Sequence, residues 1–160
     1  MAILEIVKAG DPGLKQECEI VDKIDSKIRK LLTNMAETMY KADGVGLAAP
    51  QIGVNKCIVV MDVGDENGLI EMVNPEIVEK EGSMIDSEGC LSVPGEFGLV
   101  KRPNKVKVRA QDRNGNWFEV EGEGLTGRCF CHELDHLDGI LFTQKCDRML
   151  TEEEMETGEY

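Results

Sequence analysis

The chain has 160 residues, 41% of them hydrophobic, and a formal net charge of −13. That length favours one domain, and the apolar content builds a core that needs no metal or disulfide merely to fold. The charge argues against direct binding of nucleic acid or an anionic membrane, since both select basic surfaces.

The opening MAILEIVKAGDPGLKQE lacks the basic start and sustained apolar stretch of a signal peptide, and no stretch approaches a membrane span. Six cysteines (Cys18, Cys57, Cys90, Cys129, Cys131 and Cys146) read as reduced thiols, and the expected location is the cytoplasm. Over residues 25–41 the spacing of Ile28, Leu31, Leu32, Met35 and Met39 predicts an amphipathic helix, with Asp25 or Ser26 as its cap. GVGLAAPQIG (44–53) is too rich in small residues for an ordinary strand and predicts an irregular segment where backbone closely approaches something else.

Strands are expected at 56–63, 69–75, 77–84, 105–112 and 116–123, the last two paired across Arg113, Asn114 and Gly115. The basic run Lys101, Arg102, Lys105, Lys107 and Arg109 reads as a solvated strand face. A second helix is expected from about Leu125 to Asp138, with Gly139 as its stop. The acidic tail is expected to be poorly ordered beyond about Glu152. The fold class is α+β: mainly antiparallel β-sheets packed around a central C-terminal helix, in a single domain spanning 1–160.

That helix carries CHELDHLDG (131–139), which holds both histidines of the chain. Residues four apart lie one turn apart on the same helical face, so His132 and His136 can converge on one ion. Glu133 is rotated away from the ligand direction but can reach a water there, the general-base position of H-E-x-x-H. Leu125, Cys129, His132 and His136 form a stripe beside the apolar stripe of Phe130, Leu134, Leu137 and Leu141, so the histidines face inward. Arg128, Cys131, Asp135 and Asp138 take the wetter side.

A catalytic site of this type needs a third protein ligand and one open position. Cys90, Cys129, Cys131 and the carboxylates are all chemically able donors. Cys131 falls off the stripe, and Cys129 would have to reach past His132. A ligand from another segment closes the site better, and Cys90 in EGCLSVPG (88–95) offers one. Taken alone, though, a free cysteine more often packs as a small hydrophobe.

GVGLAAPQ (44–51), EGCLSVP (88–94) and HELDHLDG (132–139) together resemble, in order and spacing, the three motifs of peptide deformylases. The likeness runs from about residue 3 to residue 143. The resemblance implies that Cys90, His132 and His136 bind one divalent metal, with water in the fourth position. Fe2+ would be the native ion, and Zn2+, Ni2+ or Co2+ its substitutes. Glu133 would act as general base and acid. The Gln51 side chain and the Leu91 backbone N–H would hold the oxyanion. Val45, Gly46, Leu125 and Cys129 would wall a pocket for the methionine side chain.

The implied reaction removes the formyl group from the N-terminal formylmethionine of newly made polypeptides and releases formate. The implied protein is a monomer with transient ribosome contact. Asp135 paired with Arg102 would brace the helix. Three positions depart from the common pattern: Cys131 replaces a glutamine, Phe97 lies where a basic residue is common, and the tail is acidic rather than basic. The alternatives are a small H-E-x-x-H metalloprotease and a non-catalytic zinc module, the latter requiring four protein ligands.

Overall fold

The structure is a computed structural model and describes residues 3–158. Helix α1 spans Ser26–Lys41, and the Asp25 carboxylate caps it by accepting from the N–H groups of Lys27 and Ile28 at 3.1 Å each. The expected stripe is its core face: Ile28, Leu32, Met35 and Met39 are all buried.

Five strands form one sheet in the order β1 (Gly46–Ala48), β2 (Ile58–Met61), β3 (Ile70–Glu81), β6 (Lys105–Gln111) and β7 (Trp117–Glu123). A second sheet joins β4 (Met84–Cys90), β5 (Val93–Arg102) and β8 (Cys146–Met149). Every pairing between these strands is antiparallel. Helix α2 covers Leu125–Leu137 and α3 covers Glu152–Thr157.

The two-residue period of a strand explains how the larger sheet carries a helix on each face. In β2, Ile58 and Val60 pack with α1, whereas Val59 and Met61 pack with α2. Val106, Val108 and Ala110 alternate inward from β6 onto Phe130, Leu134 and Leu137 of α2. The fold class and the central place of the H-E-x-x-H helix agree with the sequence reading.

Several expectations need correction. The stretches 69–75 and 77–84 are not two strands: most of both forms β3, and 84 begins β4. Its ladder shifts register between Val73 and Glu76, where Asn74 has φ of 54° and Pro75 has no N–H to give. The Asn74 side chain stitches this irregularity to Val21 and to Gln111. The sequence pattern marks none of β4, β5 and β8 as a strand. On β5 the inward positions are Gly98, Val100 and Arg102, so no apolar alternation marks it.

Helix α2 also has no wet side along its length: Leu125, expected on the inward stripe, is exposed at its start, and Asp138 is exposed just past its end. Arg128 and Cys131 are buried, because the smaller sheet and its neighbours cover the side opposite the larger one. Arg102 likewise leaves the expected solvated face and is buried. The acidic tail forms α3, capped by a reciprocal Thr151–Glu154 box and tied to Arg148.

Not all cysteines are thiols. Cys18 and Cys57 form a disulfide, with Cα atoms 5.3 Å apart. A bridge between Glu19 and Lys56 lays the two segments side by side. The sequence separation is 39 residues, so the bond restricts a long loop of the unfolded chain. Reduction, or Cys18→Ser, is expected to lower unfolding stability by about 2–4 kcal/mol. Urea titration with and without reductant measures this; coincident curves would mean that the bond does not stabilise the fold.

Candidate active site

The site lies where α2 meets β1 and β4. Glycines let α2 come close to β7: a Cβ on Gly127 would stand 2.9 Å from the Gly122 carbonyl oxygen. On the helix, His132 and His136 present rings 5.0 Å apart between centroids. Cys90, at the end of β4, brings its Sγ to 3.3 Å from His136 Nε2. One ligand atom from each of Cys90, His132 and His136 lies within 4.8 Å of the others.

A sulfur and two imidazole nitrogens make a donor set suited to a divalent transition metal. Glu133 adds a second sign of fit. It is buried beside this set, and its Oε1 has no hydrogen-bond partner among the described residues. Burial pushes its pKa up to about 7, while the nearby His132 pulls against the rise. A carboxyl poised there can take a proton and return it.

The small-residue segment now has a physical reason. A Cβ on Gly46 would collide with the Glu133 carboxylate, and one on Gly44 would stand 2.7 Å from Leu91 Cδ1. Gln51 sits in a tight turn, Ala49–Ile52, after β1. Its Oε1 accepts from the Ala48 N–H at 2.9 Å. That holds Nε2 toward Ser92 Oγ at 3.2 Å and Cys90 Sγ at 3.5 Å.

A cavity of about 490 Å³ opens onto these groups. Val45, Gly46, Leu125 and Cys129 line it, as do Gln51, Cys90, Leu91, His132 and Glu133. Burial pushes the Cys129 thiol well above its ordinary value, and its Sγ lies 3.8 Å from the Val45 carbonyl, so it stands in the wall as a neutral thiol. The sequence reading therefore named residues that the fold brings together.

Phe97, a departure from the family pattern, lies on the cavity rim, and a Cβ on Gly89 would stand 2.5 Å from Cε1 of its ring. The sequence reading missed others. Behind the histidines, Glu88 accepts from Arg102, Arg128 and His132. The expected brace between Arg102 and Asp135 is present, and Lys145 Nζ reaches the other Asp135 oxygen at 3.1 Å. Glu88 and Arg128 carried a faint signal: one lies two residues before Cys90, the other one helical turn before His132.

A family model described as polypeptide deformylase matches residues 3–152. The chain belongs to the peptide deformylase family. The peptide deformylase of Acetivibrio thermocellus is 57% identical over 156 residues, covering 98% of this chain and 91% of that protein. Peptide deformylase 1 of Bacillus anthracis is 53% identical over 156 residues, covering 98% and 100%. The crystal structure of peptide deformylase from Thermotoga maritima superposes with a TM-score of 0.88 at 41% identity, covering 92% of this chain and 99% of that one. A peptide deformylase from Synechococcus elongatus, in complex with actinonin, gives a TM-score of 0.84 at 40% identity, covering 96% and 82%.

As a peptide deformylase the chain is a hydrolase acting on N-formyl peptides, and Cys90, His132 and His136 form a group that could hold a metal ion. No helix of the described residues is long and apolar enough to cross a membrane.

Gly46→Ala is expected to displace the Glu133 carboxylate without unfolding the chain. Hydrolysis of an N-formyl peptide then falls by about 10²-fold, the scale of a 1 Å misplacement. Steady-state kinetics beside a circular dichroism spectrum checks this; unchanged turnover would show that Glu133 needs no clearance there.

Proposed function

We infer that this peptide deformylase removes the formyl group from the N-terminal methionine of newly made polypeptides, releasing formate and a free amine. The observation that carries the reading is the convergence of Cys90, His132 and His136 beside the buried Glu133, with the Gln51 amide against Cys90.

Cys90, His132 and His136 would hold one divalent cation, which when bound supplies a Lewis acid and acidifies water. Ferrous iron is the native ion on this reading, with zinc, nickel and cobalt as substitutes, since ligand type and availability rather than raw affinity select among them. Glu133 takes the proton of the attacking water and passes it to the departing amine nitrogen. The oxyanion that develops on the formyl oxygen accepts hydrogen bonds from Gln51 Nε2 and the Leu91 N–H, two donors that add no charge. The held Gln51 amide supports this role, because a preoriented dipole has no reorganisation left to do.

The methionine side chain lies along Val45, Gly46, Leu125 and Cys129, which suit a flexible thioether. The unit is a single catalytic domain over residues 1–160, acting as a monomer in the cytoplasm. Contact with the ribosome is transient, and the net charge of −13 opposes a docking mode that relies on RNA phosphates. A purely structural zinc centre fits less well, since the described residues bring together three ligands and not four.

The test is formate release from a formyl-methionyl peptide by protein prepared without oxygen and loaded with ferrous iron, beside an acetylated control. Rapid release confined to the formyl peptide is expected. Glu133→Ala is expected to lower it by at least about 10²–10⁴-fold with metal still bound. No formate from folded, metal-loaded protein would overturn the reading.

A further inference from the structure

Glu88 has no part in the reaction above, yet both its oxygens are fully engaged. Its Oε1 accepts from His132 Nδ1 at 2.9 Å and from Arg102 Nη2 at 2.9 Å. Its Oε2 accepts from Arg102 Nε at 2.8 Å and from Arg128 Nη1 at 2.7 Å. All four groups are buried. Arg128 is itself anchored, donating to the carbonyls of Val100 and Met84 at 2.9 and 3.0 Å.

We propose that Glu88 is the positioning residue of this centre: it holds His132 as the Nδ1–H tautomer, with Nε2 turned toward Cys90 and His136. The inference rests on the metal-centre reading given under the proposed function. An imidazole whose Nδ1–H is engaged by a carboxylate cannot swing its ring without losing a buried hydrogen bond. The two arginines matter equally. They satisfy the remaining lone pairs of Glu88, so that the carboxylate stays in place as an anion in a buried setting.

Strand β4 thereby has two duties, because Glu88 and Cys90 lie two residues apart on it. It supplies one ligand directly and anchors a second from behind. His136 provides an internal contrast. Its Nδ1 is buried and has no hydrogen-bond partner among the described residues. The two histidines are therefore held by different means, His132 by a charged hydrogen bond and His136 by packing.

Zinc-loaded, full-length protein tests this in two ways. Nitrogen-15 NMR of the histidine rings is expected to show His132 protonated at Nδ1, with a proton far slower to exchange than that of His136. Glu88→Asp keeps an anion between the arginines but is one methylene too short for His132. Its zinc affinity, read by competition with a coloured chelator, is expected to fall by about 10–100-fold while circular dichroism stays native.

His132 protonated at Nε2, or exchanging as fast as His136, overturns the proposal. So does wild-type zinc affinity in folded Glu88→Asp. Should that variant fail to fold, the wild-type NMR decides alone. Failure of the wild type to bind zinc at all would instead strike the metal-centre reading, and this inference with it.

Discussion

The structure depends on enclosing one helix that carries too many polar groups to be buried cheaply. Arg128, His132, Glu133 and His136 all lie on α2 and all are buried. Burying such groups costs several kcal/mol each unless partners are supplied. The smaller sheet supplies them: β4 brings Glu88 and Cys90, and β5 brings Arg102. The larger sheet supplies the apolar counterweight through Val106, Val108, Ala110 and Met72. A helix gripped by one sheet through charge and by the other through apolar contact has little freedom to move, which suits a site that must hold several atoms in register.

Two buried side-chain atoms of α2 lack partners, and only one of them belongs to a residue that lines the cavity. Glu133 Oε1 and His136 Nδ1 are the α2 atoms left unbonded among the described residues. Everything around them is restrained: Gln51 by the Ala48 N–H, His132 by Glu88, Asp135 by Arg102 and Lys145. Unsatisfied buried groups are rare in folded proteins, and an unpartnered Glu133 oxygen at the cavity amid a saturated network marks where chemistry is to be done.

Much of this was legible in the sequence, for reasons that differ by element. The first helix declared itself through its apolar spacing and Asp25. The β6–β7 hairpin did so through alternation around Asn114 and Gly115. The histidine pair was located because histidine is rare here and its spacing is specific, whereas Gln51 and Cys90 were located by the resemblance to the deformylase motifs. Strands β4 and β5 were obscure because their inward positions hold Glu88, Gly98 and Arg102, which imitate surface residues until the opposing charges are seen. Arg128 was misread for the same reason: a helical wheel shows polarity, not the carboxylate waiting on another strand. The Cys18–Cys57 bond needs the register of two segments far apart in sequence, which no local pattern carries.

One strand and one helix bring a single sulfur and two imidazole nitrogens together. X-ray absorption at the metal edge of the loaded protein tests it most directly. One sulfur neighbour at about 2.3 Å and two imidazole nitrogens at about 2.0–2.1 Å are expected, with the sulfur lost in Cys90→Ser. Two sulfurs, or a sulfur signal that survives Cys90→Ser, would show that Cys129 or Cys131 closes the site and would rule out this ligand set.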